Sequence, residues 1–135
     1  MVSGPEGRRM NKTKGEIEAE ISEAIVKFEV EYMGRGPKEV RAFILEDMIL
    51  VRLKGLLTQA EQQLAKSTEG VDLIKQLRMT LIKNARPILF EVIGSITGIE
   101  PVALYTDIGA ARNERIMVFT LASDLEKLLP RKKSP

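Results

Sequence analysis

Residues 40–53, VRAFILEDMILVRL, decide the fold. Val40 to Leu45 and Met48 to Lys54 are apolar and rich in β-branched residues, with Glu46-Asp47 between them. That pattern predicts a β-hairpin with a two-residue tip. Leu45 then faces Met48, Ile44 faces Ile49, Phe43 faces Leu50, Ala42 faces Val51, Arg41 faces Arg52 and Val40 faces Leu53. Side chains alternate across a strand, so Val40, Ala42, Ile44, Ile49, Val51 and Leu53 share one wholly apolar face, the core side. The other face carries Phe43, Leu45, Met48, Leu50 and the two arginines. It is too apolar to stand in water and calls for a cover, either another element or a second copy of the chain. Arg41 opposite Arg52 is a like-charge pair, which destabilises a ladder by roughly half a kcal/mol. Two accounts resolve it: an acid within the protein, with Asp107 the candidate, or an anionic partner.

Upstream, Thr13 and Glu16 form a capping box, and Ile17, Ile21, Ile25, Phe28 and Tyr32 recur at helical spacing. A helix is expected to about Tyr32. Gly34 or Gly36 can end it in the left-handed conformation, and Pro37 prevents continuation. The same Gly34-Arg35-Gly36-Pro37-Lys38 turn could also hold an anion through Arg35, Lys38 and free amides.

Downstream, Gly55 ends the hairpin and Thr58 with Glu61 opens a short polar helix to about Lys66. From Val71 a longer helix presents Ile74, Leu77, Leu81 and Ala85 on one stripe, with Lys75, Arg78, Lys83 and Arg86 broadly opposite. Pro87 predicts a kink or restart, and Gly98 a stop. Val102 to Ile108 and Arg115 to Leu121 read as a second hairpin. Ser123 with Glu126 reads as a third capping box, opening a short helix that stops at Pro130. The expectation is an α+β fold of order α-β-β-α-α-β-β with a short C-terminal helix. Two hairpins form a mostly antiparallel four-stranded sheet with helices on one face. Residues 1–12 read as a flexible leader, 13–129 as one domain and 130–135 as a basic tail.

Composition narrows the chemistry. The 135 residues contain no cysteine and no histidine, which excludes disulfides, the usual zinc sites, thiol nucleophiles and a histidine base. No calcium loop or phosphate-binding glycine motif occurs. We expect no metal, no cofactor and no catalytic residues, and the sequence points away from an enzyme. A net charge of +2 gives no strong nucleic-acid signal, and the basic stripe at Lys75, Arg78, Lys83 and Arg86 lacks interleaved aromatics. No run approaches the ~20 apolar residues of a membrane span. The expected location is cytoplasmic. The lack of cysteine, three asparagines and 30% charged residues suit a thermophile.

Three segments together resemble one bacterial family: GRGPKEVRAFILEDMILVRLKGLLTQAEQQL, EGVDLIKQLRMTLIKNARPILFEVIGSITG and TDIGAARNERIMVFTL. The family was long a domain of unknown function and is named for the C subunit of a sodium-translocating, membrane-potential-generating system. The resemblance covers about Lys14 to Leu121. It departs at Gly109, where the family usually has Ser or Thr, and at Asn113-Glu114, where it has Gly-Glu. It implies a peripheral accessory or regulatory subunit of a membrane sodium or bicarbonate system, at the inner face of the membrane, with an integral membrane subunit as partner. It carries no catalytic residues. Its motifs direct attention to Gly34, Arg35, Gly36, Pro37, Lys38, Arg41, Arg52, Arg86 and Asp107. A homodimer through the second sheet face is the other expected partner. The alternatives are a small-anion or nucleotide sensor using Arg35, Lys38, Arg41 and Arg52, and a nucleic-acid binder using the basic helix.

Overall fold

A computed structural model describes residues 11–130; the leader and basic tail fall almost wholly outside that range. Helix α1 (Lys14–Met33) starts where expected. The Thr13 hydroxyl accepts from the Glu16 amide at 3.2 Å, and the Glu16 carboxylate accepts from the Thr13 amide at 2.8 Å. Ile17, Ile21, Ile25 and Phe28 are buried. Gly34, at φ +86°, is the glycine that ends the helix. A methyl group there would meet nothing within 4 Å, so only the backbone conformation resists it. We expect Gly34→Ala to cost about 1 kcal/mol, read as a small fall in the thermal midpoint; an unchanged midpoint would refute that account.

Strands β1 (Glu39–Leu45) and β2 (Met48–Lys54) pair in the predicted register, Leu45 with Met48 through Arg41 with Arg52 to Val40 with Leu53. Ala42, Ile44, Ile49, Val51 and Leu53 are buried, with Val40 packed beside them. Glu46 at the tip adopts φ +56°. The C-terminal segment holds it there: the Glu46 amide donates to Glu126 at 2.7 Å, while Leu125 donates to the Glu46 carbonyl at 3.1 Å. The second oxygen of Glu126 binds Lys14 at 2.8 Å, tying the tip to α1. On the outer edge of β1, the Ile44 amide donates to the Glu18 carboxylate of α1 at 2.8 Å.

Helix α2 (Gln59–Leu64) follows the Thr58–Glu61 capping box. Helix α3 (Thr68–Thr97) begins three residues earlier than the sequence suggested, because the Ser67 hydroxyl accepts from the Gly70 amide at 2.9 Å. It also runs unbroken through Pro87. The proline removes one helical donor, and the packing of Ala85, Leu89 and Ile93 into the core on either side of it holds the helix together. The buried stripe is Ile74, Arg78, Ile82, Ala85, Leu89 and Ile93. Leu77 and Leu81, expected inside, are 54% and 36% exposed.

Strands β3 (Pro101–Gly109) and β4 (Glu114–Leu121) complete a sheet of order β1-β2-β4-β3, antiparallel throughout, with a register shift between Pro101 and Ala103. Helices α1 and α3 cover one face, where Met117, Phe119 and Leu121 of β4 join the core. The expected C-terminal helix is only a 3-10 turn at Glu126–Leu128. Its capping box does not form: the Ser123 hydroxyl finds no partner among the described residues, and Asp124 accepts from the Lys127 amide instead. Leu125 and Leu129 are buried against the core.

Candidate functional site

The side of the sheet away from the helices is open. Cross-strand pairing arranges it in rows. One row runs Leu45, Met48, Thr120, Ala103. The next runs Phe43, Leu50, Val118, Tyr105. The third runs Arg41, Arg52, Ile116, Asp107. Leu45 and Tyr105 are 55% and 65% exposed, and Phe43 and Leu50 are exposed as well. Contiguous exposed apolar side chains of this kind mark contact surfaces.

The arginine pair lies on it as expected, but the acid that answers Arg52 is Glu114, not Asp107. Arg52 Nε and Nη2 both donate to Glu114 Oε1, at 3.0 and 2.8 Å. Those hydrogen bonds hold the Glu114 carboxyl below the usual carboxylate range. Arg41 has no carboxylate within ion-pair reach among the described residues, and its guanidinium sits 5.5 Å from the Phe43 ring. Asp107 lies at the far end of the same row, on the β3 edge. Its Oδ1 accepts from the Ile108 amide at 2.8 Å and lies 3.7 Å from Lys75, with both side chains well exposed.

The other singled-out residues lie elsewhere. Arg35 donates to the Leu57 carbonyl at 3.0 Å, pinning the glycine turn to the exit of β2. Gly36 sits against Val30, which would be 3.2 Å from an added Cβ. The Lys38 amide donates to the Lys54 carbonyl at 2.9 Å, and its side chain lies over Gly55. Arg86, on α3, stacks on Phe90 at 4.8 Å and lines a groove with Lys83, Leu104 and Tyr105. Neither Arg35 nor Arg86 joins the Arg41–Arg52 row.

A second charged group, unforeseen as a group, lies inside the protein. Arg78 is 3% exposed, so it cannot belong to a solvated basic face. It forks onto Glu61 of α2, with Nε to Oε2 at 2.9 Å and Nη2 to Oε1 at 2.7 Å. Nη2 also reaches the Leu56 carbonyl at 3.3 Å. Nη1 lies 3.8 Å from Glu29 of α1, a charge contact too long for a hydrogen bond. Arg115 of β4 is buried nearby, with Nη1 3.4 Å from the Thr106 hydroxyl. Both Glu29 oxygens, Arg78 Nη1 and Arg115 Nε lack hydrogen-bond partners among the described residues.

Environment sets the charges. Burial pushes the Glu29 carboxyl up, against the opposing pull of Arg78 and Arg115. Burial acts on Glu61 in the same direction, but the Arg78 fork and the Thr58 cap outweigh it, so its carboxyl is lowered. Burial lowers Arg115 to about 10, with Glu29 opposing the shift. Two acids and two bases thus join α1, α2, α3 and β4. No group of three or more His, Cys, Asp or Glu side chains among the described residues could hold a metal ion.

Fold and face together define a single-sheet α+β protein with one side uncovered. Residues 13–123 match the family described as the Na+-translocating membrane potential-generating system (MpsC). The chain belongs to that family. It is 46% identical over 120 residues to the uncharacterized protein YbcI of Bacillus subtilis (strain 168), covering 89% of this chain and 97% of the relative. It is 27% identical over 112 residues to the uncharacterized protein YrhF of the same strain, covering 80% and 89%. No solved structure matches.

Proposed function

We propose that this chain is a non-enzymatic, peripheral accessory or regulatory subunit of a sodium-translocating, membrane-potential-generating system. The observation that carries the reading is a contrast. The family is named for moving sodium across a membrane, yet none of the described helices is long and apolar enough to cross one. An ion pathway then belongs to another chain, and this one acts by contact with it. The exposed leucines of α3, Leu73, Leu77 and Leu81, supply contact surface. The test is affinity purification of the tagged chain from detergent-solubilised membranes of its own host. A polypeptide with membrane-spanning helices is expected to copurify, and deletion of the gene is expected to reduce the sodium-dependent membrane potential. Recovery of soluble proteins alone, with the potential unchanged, would overturn the reading.

A further inference from the structure

The charge pattern on the open face is complementary to itself. Arg41 marks one end of the third row, on edge strand β1, and Asp107 marks the other, on edge strand β3. We propose that the open face is the interface of a symmetric dimer whose two-fold axis runs parallel to the strands, pairing Arg41 of each copy with Asp107 of the other.

The geometry selects that axis. Rotation about a line along the strands, midway between β2 and β4, exchanges the two edges and keeps each row at its own height. β1 of one copy then lies over β3 of the other. Arg41 meets Asp107, Phe43 meets Tyr105 and Leu50 meets Val118, each contact occurring twice. An axis running across the strands instead lays each strand over its own copy. It puts Arg41 over Arg41 when centred on the charged row, or guanidinium groups over Phe43 and Leu50 when shifted between rows. Both arrangements bury the Arg41 guanidinium without an acid, since only Arg52 carries its own carboxylate. The chosen axis leaves Arg52 with its own Glu114, beside Ile116 of the partner copy.

Both ionic partners can engage, although Asp107 Oδ1 already accepts from the Ile108 amide and lies 3.7 Å from Lys75, a long and exposed contact. Arg41 touches only an aromatic ring, and Asp107 keeps Oδ2 unengaged among the described residues. The area lies at the lower edge of what specific interfaces bury. Four strands spaced ~4.8 Å apart, each of about seven residues, give a flat footprint of roughly 450 Å². Two footprints before side-chain relief approach the ~1,000 Å² at which specific interfaces begin. The apolar rows would form the dry centre and the two ion pairs the rim.

Sedimentation equilibrium on the purified chain tests this, independently of the membrane reading. The wild type is expected to be a dimer at micromolar concentration. Arg41→Glu and Asp107→Arg each replace two attractions by two repulsions, and each is expected to weaken the dimer by about tenfold or more. Arg41→Glu mixed with Asp107→Arg is expected to give a heterodimer of near wild-type affinity, because both cross-pairs are then opposite in sign. The double variant carrying both changes is expected to self-associate again. A monomeric wild type, a dimer indifferent to both charges, or a mixture that fails to associate would each overturn the proposal. None of these outcomes bears on whether a membrane subunit copurifies.

Discussion

Arg78→Met is expected to cost about 3–5 kcal/mol, the usual penalty for removing one member of a buried charged group. The change keeps much of the side chain's volume and deletes the fork onto Glu61, the bond to the Leu56 carbonyl and the cation nearest Glu29. The pH dependence identifies the cause. Glu61 is held low in the fold, so its stabilisation is present above its unfolded pKa and is lost as pH falls through the folded value. Without Arg78 that acid-side loss flattens. Glu29 is raised, so the neutral form suits the fold, and its contribution is lost as pH rises through the folded value. Without Arg78 that penalty grows, and the deficit of Arg78→Met should be deepest at neutral pH and shallower in acid. Adding Glu29→Gln should then recover part of the lost stability. Urea titrations at acid and neutral pH measure both effects. A double variant no more stable than Arg78→Met would show that Glu29 is not the group left stranded.

Gly70→Ala should cost roughly 3 kcal/mol or more, because the new methyl group has no room. A Cβ built on Gly70 lies 1.7 Å from the Leu64 carbonyl oxygen and 2.5 Å from its carbon. These are backbone atoms at the end of α2, so no rotamer change relieves the clash and the helix must shift. Since α2 carries Glu61, the displacement also strains the fork on Arg78. A thermal midpoint lower by roughly 10 °C is expected. Gly94→Ala supplies the contrast: its Cβ would lie 3.5 Å from Pro101, an ordinary contact, in the same helix. That variant should match or exceed the wild type by up to about 1 kcal/mol. If both substitutions behaved alike, the close approach of α2 and α3 would not be the reason for glycine at position 70.

The hairpin was legible because its alternation leaves one acceptable register. Slipping Val40–Leu53 by one residue would put Arg41 or Arg52 on the core side. The partner of Arg52 was not legible. It depends on β4 lying next to β2, and strand order is set by how the helices pack across the sheet. The interior cluster could have been suspected. Glu29 stands four residues after Ile25, Arg78 stands four residues from both Ile74 and Ile82, and Arg115 alternates with Met117 and Phe119. Each charged side chain falls in phase with a buried series. Leu77 and Leu81 exceed Arg78 in hydrophobicity, but the helical phase of Ile74, Ile82, Ala85 and Leu89 turns Arg78 inward. The passage of α3 through Pro87 was hidden for a related reason. Local rules register the missing donor, whereas the apolar contacts on both sides of it are tertiary.

The bond from the Ile44 amide to Glu18 bears on how copies of this chain can assemble. A free strand edge invites a neighbour to zip on, and one addition exposes a fresh edge for the next, so the product is an open ribbon. Here one of the outward amides of β1, that of Ile44, is already occupied by a carboxylate from α1. At the other border, β3 opens on Pro101, which has no amide proton, and is irregular before Ala103. In-plane growth is therefore hindered at one amide of the β1 border and at the start of β3, which works against fibrous polymerisation.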